Sequence, residues 1–143
     1  GFCLFNNVAV GAAHALARHG VERLAVIDFD VHHGNGTENI FAFEPRVLMV
    51  STFQHPLYPY SGTEAHRPNM VNIPLAEGTG SDGFREAVGL KLTEADYAWV
   101  TRELLDVANR HGKGRLISTL EGGYALSALG RSAAEHIREL LAA

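Results

Sequence analysis

The chain has 143 residues, of which 46% are hydrophobic and 20% are charged, which is ordinary for one globular domain with its own core. Its formal net charge is −4 and its lysine and arginine residues form no run, so neither a nucleic-acid footprint nor a membrane-surface patch is visible. The single cysteine, Cys3, excludes an internal disulfide framework. With no signal peptide and no apolar run long enough to span a bilayer, we expect a cytoplasmic protein.

The hydrophobic pattern predicts helices that alternate with strands. Asn6 or Asn7 caps a first helix that runs to about His19 and stops at Gly20. A buried strand follows from Leu24. The later predicted elements are a short helix over Thr37–Phe43 that Pro45 ends, strands over Val47–Thr52, Val71–Leu75 and Arg115–Leu120, a helix over Glu94–His111 capped by Thr93 and Asp96, and an amphipathic helix over Leu126–Leu141. This alternation with short connections predicts a mainly parallel sheet covered by helices.

The strongest chemical signal lies in Leu24–Gly36, which reads LAVIDFDVHHGNG. Because side chains alternate along a strand, Asp28, Asp30 and His32 are expected to share one side of it. Carboxylate and imidazole groups suit zinc or another divalent first-row metal, and open α/β sheets bind ligands beyond the carboxyl ends of their strands. The glycine-rich turn that follows allows a sharp change of direction. The pattern therefore favours a metal site.

Two other interpretations of this stretch stay open. The acidic groups and the imidazole can be buried structural groups, although burying three of them unpaired would be unfavourable. The second interpretation is aspartyl-phosphate chemistry, in which an apolar strand also ends in Asp-x-Asp and the first aspartate is the nucleophile. That chemistry usually needs a small hydroxyl residue two places after the second aspartate. His32 occupies this place and favours metal binding.

Three irregular segments are also candidates for a site. Phe53–Asn69 is a long loop whose proline and aromatic residues either wall a substrate site or stiffen a surface loop. Glu77–Gly83 is a glycine-rich turn without the spacing of a P-loop. Glu121–Tyr124 follows a predicted strand, and its two glycines either swing the Tyr124 phenol into a pocket or form an ordinary turn.

Together these stretches resemble the histone deacetylase family, most closely its bacterial members and the acetylpolyamine amidohydrolases. The similar stretches run in the family's order: GFCLFNNVAV at 1–10, VIDFDVHHGNGT at 26–37, RVLMVSTFQ at 46–54, VNIPLAEGTG at 71–80, LKLTEADYAWVT at 90–101 and LISTLEGGY at 116–124. The resemblance implies a three-layer arginase/deacetylase-like α/β fold with a mainly parallel sheet. It also implies one partial deacetylase domain over residues 1–143 and zinc-dependent hydrolysis of the amide bonds of acetyl-lysine or acetylated amines.

The resemblance implies roles for individual residues as well. Asp30 and His32 correspond to two of the family's three zinc ligands, and Asp28 to the carboxylate that orients a catalytic histidine. Tyr124 corresponds to the tyrosine that donates a hydrogen bond to the developing oxyanion. A monovalent-cation site, usually potassium, is implied at the backbone carbonyl groups of Asp28, Asp30, His32 and Ser51.

The implied substrate is an acetylated protein or a small acetylated amine. Phe2 corresponds to one aromatic wall of the family's acyl-lysine tunnel, and Tyr58 is placed near the other wall. The sequence does not separate histone, other protein and polyamine substrates, and it leaves the oligomeric state open.

The chain departs from the family pattern in two places. The family's His-His pair, its general base and acid, lies upstream of the block with which this chain begins. The third zinc ligand is expected after a further strand, but FREAV at 84–88 leads directly into GLKLTEADY. No spacing marks a substitute ligand among His33, His55, His66 and Asp82. We therefore expect a gap or an exposed edge in the sheet, and the alternative function is an inactive truncated or degenerate member that acts by binding.

Overall fold

The computed structural model describes residues 4–64, 67–81, 93–120 and 122–143. The chain divides into two compact units, Gly1–Lys91 and Leu92–Ala143. The first unit contains helix α1 (Asn7–Arg18), strand β1 (Leu24–Asp28), helix α2 (Asn35–Phe41), strand β2 (Val47–Gln54) and strand β3 (Met70–Leu75). The second unit contains helices α3 (Glu94–His111) and α4 (Leu126–Leu141). None of the described helices is long and apolar enough to cross a membrane.

Helix α1 begins where the sequence predicts, and Asn6 is its cap. The Asn6 side-chain oxygen accepts a hydrogen bond from the Ala9 amide at 2.9 Å, which satisfies one of the free donors of the first turn. The Asn6 side-chain amide donates to the Thr37 hydroxyl at 2.8 Å. The same residue therefore starts α1 and ties it to α2.

The three strands form a parallel sheet in the order β1-β2-β3, which confirms the predicted parallel α/β arrangement in the described part of the first unit. Its core is a cluster formed by side chains of α1, α2, β2 and β3: Ala9, Phe41, Val47, Met49 and Met70. The opposite face carries the partly exposed side chains of Ile27, Leu48 and Val71. In the described residues, both outer strands of the sheet have a free edge.

A row of polar residues crosses this sheet at the level where β1 ends. Asp28 pairs with Ser51, and Ser51 pairs with Asn72, so the three residues lie side by side on adjacent strands. Ser51 and Asn72 follow Met49 and Met70 by two positions, and Asp28 follows Val26, which packs against the same core, by two positions. Because side chains alternate, all three point to the face that carries the apolar core. Ser51 is fully buried, and Asp28 and Asn72 are partly buried. The apolar core is therefore bounded by a polar level at the end of β1, while β2 and β3 continue beyond it.

The predicted strand over Arg115–Leu120 is wrong. Residues 115–120 form no strand, and the Ile117 side chain is 88% exposed. The chain leaves α3 through a tight turn in which the Gly114 amide donates to the Ala108 carbonyl at 3.0 Å. An apolar run becomes a strand only when a neighbouring strand pairs with its backbone, and the described residues supply no such partner here.

The second unit is a pair of helices whose predicted limits are both confirmed. Asp96 accepts hydrogen bonds from the Thr93 amide at 2.9 Å and the Thr93 hydroxyl at 2.8 Å, which fixes the start of α3. Ion pairs join the two helices, between Arg131 and Glu94 and between Arg102 and Glu139.

A histidine lies between these helices. The Thr101 hydroxyl donates to the Tyr97 carbonyl at 2.5 Å, so Nδ1 of His136, 2.6 Å from the same oxygen, is the donor in that contact. Nε2 of His136 is buried and has no hydrogen-bond partner in the described residues. Burial therefore lowers the pKa of His136 from its ordinary value.

This burial predicts a pH dependence of stability. Because the pKa of His136 is lower in the folded state, the unfolded chain binds more protons as the pH falls below about 6.5, and stability falls with it. Thermal unfolding followed by circular dichroism between about pH 7.5 and about pH 5.5 measures the effect. His136→Asn retains a donor for Thr101 but does not titrate, so its unfolding temperature should change less over this range. His111→Asn, at the exposed end of α3, is the control, and equal slopes for His136→Asn and the parent chain would contradict the assignment.

Candidate metal centre

Strand β1 ends at Asp28, earlier than the sequence suggests, and the chain continues in two successive Asx turns. The Asp28 carboxylate accepts a hydrogen bond from the Asp30 amide at 3.3 Å, and the Asp30 carboxylate accepts one from the His32 amide at 2.5 Å. The aspartate side chains therefore take the amide groups that an extended strand would offer to a neighbour. The prediction that all three side chains share one side of a strand is wrong for this reason.

Asp30 and His32 nevertheless come together at the carboxyl end of β1. Oδ2 of Asp30 lies 3.8 Å from Nδ1 of His32, and the two side chains are 60% and 48% exposed. Two donors on a tetrahedral zinc ion, with bonds of about 2.1 Å, are about 3.4 Å apart. The pair therefore fits two corners of a zinc site with only a small adjustment.

A third donor is not found among the described residues, which contain no group of three histidine, cysteine or acidic side chains able to hold a metal. His33 has both ring nitrogens in hydrogen bonds, so it does not substitute. His66 and Asp82 lie outside the described residues. The described donor set thus fits zinc in kind but supplies two of the three protein ligands that catalytic zinc sites normally use.

Gly34 lets the next turn close over Asp28. A Cβ atom at Gly34 would lie 2.4 Å from Oδ2 of Asp28 and 2.8 Å from Cε of Met49, both far inside van der Waals contact. The Gly34 amide points to the Ser51 hydroxyl at 3.5 Å. The glycine of the His-His-Gly sequence is therefore required by a close approach to the carboxylate and the sheet, rather than by its own backbone angles.

His33 was not predicted from the sequence to have a role. Its ring is buried, with Nε2 2.7 Å from Oε2 of Glu38 and Nδ1 2.9 Å from Oγ of Ser61. The Asn72 side chain also donates to Oε2 of Glu38, at 2.8 Å. The partners lie in three other segments, and nothing in their spacing along the sequence signals the contact.

The remaining predicted site residues fall into different places. Tyr58 lies beside His32, a candidate metal ligand, with its ring centroid 6.3 Å from that of His32 in an edge-on arrangement. Tyr124 belongs to the second unit, just before α4, and its side chain is 93% exposed. Phe2 lies outside the described residues. The structure therefore groups Asp28, Asp30, His32 and Tyr58, and the roles assigned to these residues, to Tyr124 and to Phe2 all stay predictions.

Comparison with known proteins identifies the family of the chain. The histone deacetylase domain model matches residues 1–89 and 86–140. A probable deacetylase of Archaeoglobus fulgidus is 35% identical over 88% of this chain and 45% of its own length. The histone deacetylase-like amidohydrolase of Pseudomonas aeruginosa is 35% identical over 87% of this chain and 43% of its own length. The crystal structure of the HDA15 HD domain matches with a TM-score of 0.82 and 30% identity, over 99% of this chain and 51% of that one.

The parallel sheet, its helices and this structural match define an α/β protein of the arginase/deacetylase fold. The chain belongs to the histone deacetylase family. It spans less than half the length of the two curated relatives. Their alignments extend over 163 and 162 residues, more than the 143 of this chain, so both relatives carry residues that have no counterpart here. The two segments that match the family model meet at residues 86–89, where the sequence indicates a missing segment.

The close approach at Gly34 predicts that alanine substitutions at Gly34 and Gly36 have different effects on the free energy of unfolding. Gly34→Ala places a methyl group against Asp28 and Met49, and overpacking of this kind destabilises by about 1–3 kcal/mol. Gly36→Ala is the matched control because its new methyl group meets nothing within 4 Å and the residue lies in α2. We expect this change to be neutral or to stabilise by up to about 1 kcal/mol. Urea unfolding of the full chain measures both free energies, and similar values for the two variants would contradict the packing.

Proposed function

We propose that the chain carries the metal-binding part of a zinc-dependent deacetylase, which hydrolyses acetyl-lysine in proteins or small acetylated amines. The observation that carries this proposal is the pairing of Asp30 and His32, whose donor atoms lie 3.8 Å apart at the carboxyl end of β1. Family membership supports the reaction class. In the proposal both units belong to a single partial deacetylase domain over residues 1–143, since the same family model matches segments of each.

The proposal gives each site residue a task. Asp30 and His32 hold the zinc ion, which when bound polarises the amide carbonyl and makes a water molecule acidic enough to attack. Asp28 orients a catalytic histidine, and the Tyr124 phenol donates a hydrogen bond to the carbonyl oxygen as negative charge develops there. The proposal places the acyl chain of the substrate between Phe2 and Tyr58. It places a potassium ion at the backbone carbonyl groups of Asp28, Asp30, His32 and Ser51.

The position of Tyr58 supports the substrate assignment. Its ring is half exposed and stands edge-on beside the His32 ring, so an acyl chain that approaches the metal ligands would pass along an aromatic surface. Such a surface suits the apolar methylene groups of lysine or of a polyamine equally well. The proposed substrate is therefore either an acetylated protein or a small acetylated amine.

The proposed location is cytoplasmic, because the single cysteine suits a reducing compartment.

The second candidate is an inactive family member that acts by binding. It is favoured by the donor count, because the described residues supply two zinc ligands, and by the break in the family match at residues 86–89. His33 does not serve as the missing base, because its two ring nitrogens already contact Ser61 and Glu38. The two candidates differ in metal affinity and in turnover.

The proposal predicts a low metal affinity for this chain. Each ligand adds directly to the binding free energy, so the 143-residue chain should hold zinc weakly and lose most of it during dialysis. Metal analysis of the dialysed protein measures the zinc content, with His32→Ala as the variant and His14→Ala, on α1, as the control. One firmly held zinc per chain that His32→Ala removes and His14→Ala retains would show that a third ligand is present.

The proposal also predicts a low deacetylase activity for this chain. We expect the chain to show little or no turnover of an acetyl-lysine peptide even with added zinc. General acid–base assistance is worth about 10²–10⁴-fold in rate, and His33, the buried histidine next to the site, has both ring nitrogens in hydrogen bonds already. Turnover is compared with that of Tyr124→Phe, which removes only the phenolic hydroxyl. A rate well above background that falls in Tyr124→Phe would contradict the expectation and support a working deacetylase.

A further inference from the structure

We propose that His33 is a positioning residue, which holds the His32 turn and the Tyr58 loop in one fixed arrangement without binding the metal itself. The inference rests on the proposed function, because it assigns His33 a task at that same site. Three features carry it: the hydrogen bonds of the ring, the packing around the ring, and the segments that these contacts connect.

Both nitrogen atoms of the His33 ring are used. Nε2 lies 2.7 Å from Oε2 of Glu38, and Nδ1 lies 2.9 Å from Oγ of Ser61. Because a carboxylate oxygen only accepts hydrogen bonds, Nε2 carries a proton and donates a hydrogen bond to Glu38, and in the neutral ring the Ser61 hydroxyl donates to Nδ1. The side chain is almost fully buried, so losing either contact would leave a polar atom without water to replace it.

The Glu38 carboxylate, which accepts this hydrogen bond, is itself held in place by Asn72. Oε2 of Glu38 also accepts from the Asn72 side chain at 2.8 Å, and Asn72 pairs with Ser51 in the sheet. The network therefore starts on β3, passes through Glu38 on α2 and reaches the turn after β1. The position of the His33 ring is therefore fixed, through Glu38 and Asn72, by helix α2 and strand β3.

The ring also has little room to rotate. The Phe53 ring packs against it with centroids 4.6 Å apart. A Cβ atom at Gly62 would lie 2.6 Å from Cζ of Phe53 and 2.9 Å from both Cδ2 and Cε1 of His33. The imidazole is therefore in close contact with an aromatic ring and a stretch of backbone, which restricts its rotation and so the direction of its hydrogen bonds.

The segments that His33 connects are those that carry the site. His33 directly follows His32, and Ser61 lies three residues after Tyr58. The rings of His32 and Tyr58 lie 6.3 Å apart, and His33 is hydrogen-bonded to the Tyr58 loop from its place in the His32 turn. Displacement of His33 should therefore move the metal ligand relative to the aromatic wall while the sheet stays intact.

The test uses the full chain without metal. Nuclear magnetic resonance should show a cross-relaxation peak between the rings of His32 and Tyr58 and slow amide exchange at residues 32–34. His33→Phe fills the space but cannot hydrogen-bond, so the peak should vanish and exchange should accelerate about tenfold, the factor expected for one or two lost hydrogen bonds. His33→Gln restores a donor for Glu38 and should retain the peak. His14→Phe, on the exposed side of α1, is the control.

Three further variants test the positioning role of His33 if His33→Phe fails to fold. Ser61→Ala and Glu38→Gln each weaken one side of the network, and each should weaken the same ring-to-ring peak. Gly62→Ala should do so as well, because its methyl group meets the His33 ring. Gly78→Ala is its matched control: both glycines have a positive φ, 94° and 82°, but the Gly78 methyl group would meet nothing within 4 Å.

A cobalt titration separates this inference from the proposed function. Co²⁺ bound by Asp30 and His32 gives a visible absorption band that His32→Ala should abolish and that His33→Phe should shift, with an affinity loss of about 10–100-fold. If the parent chain binds no Co²⁺, the proposed zinc site is wrong, and the ring-to-ring peak alone decides the role of His33. An unchanged peak and unchanged exchange rates in folded His33→Phe, or in Ser61→Ala and Glu38→Gln together, would overturn the positioning role.

Discussion

The approach of Gly34 to the Asp28 carboxylate is the contact on which the site depends. The polypeptide can close to this distance only because Gly34 has no side chain, and the closure brings the Gly34 amide towards Ser51 in the sheet. The two Asx turns at Asp28 and Asp30 shorten the path between the end of β1 and this closure. The pair of potential metal ligands is therefore presented by a turn that is held to the sheet at both ends.

The polar row across the sheet explains how this turn is held without a metal. Asp28, Ser51 and Asn72 occupy one level of the sheet, and Glu38 and His33 extend the same layer into α2 and the turn. Buried polar groups are stable only when most of them have partners, so such a layer favours one arrangement of its members. An incomplete family member can thus retain the local geometry of the two candidate ligands, Asp30 and His32.

Much of the fold follows from local signals. Asn6 and Thr93 are good helix caps, and the limits of α3 and α4 coincide with the predicted ones because capping and amphipathic periodicity are local properties. The segment at 115–120 shows the limit of this reasoning. Its apolar composition predicts a strand, but strand formation depends on a partner elsewhere in the chain, and sequence periodicity cannot report whether that partner is present.

By itself the sequence predicted the parallel α/β arrangement and the family, both of which are confirmed, because these depend on periodicity and on a short, specific block of residues. The same block predicts Asp30 and His32 as metal ligands, and that assignment stays a prediction. Only the tertiary structure decided that β1 stops at Asp28, that Gly34 packs on its carboxylate and that His33 bridges Glu38 and Ser61. The physical reason is that the direction of a side chain, and the atoms it meets, are set by segments distant in sequence. The sequence separates the two adjacent histidines only by strand alternation and family resemblance, whereas the structure shows that His32 is exposed beside Asp30 and that His33 is buried among polar partners.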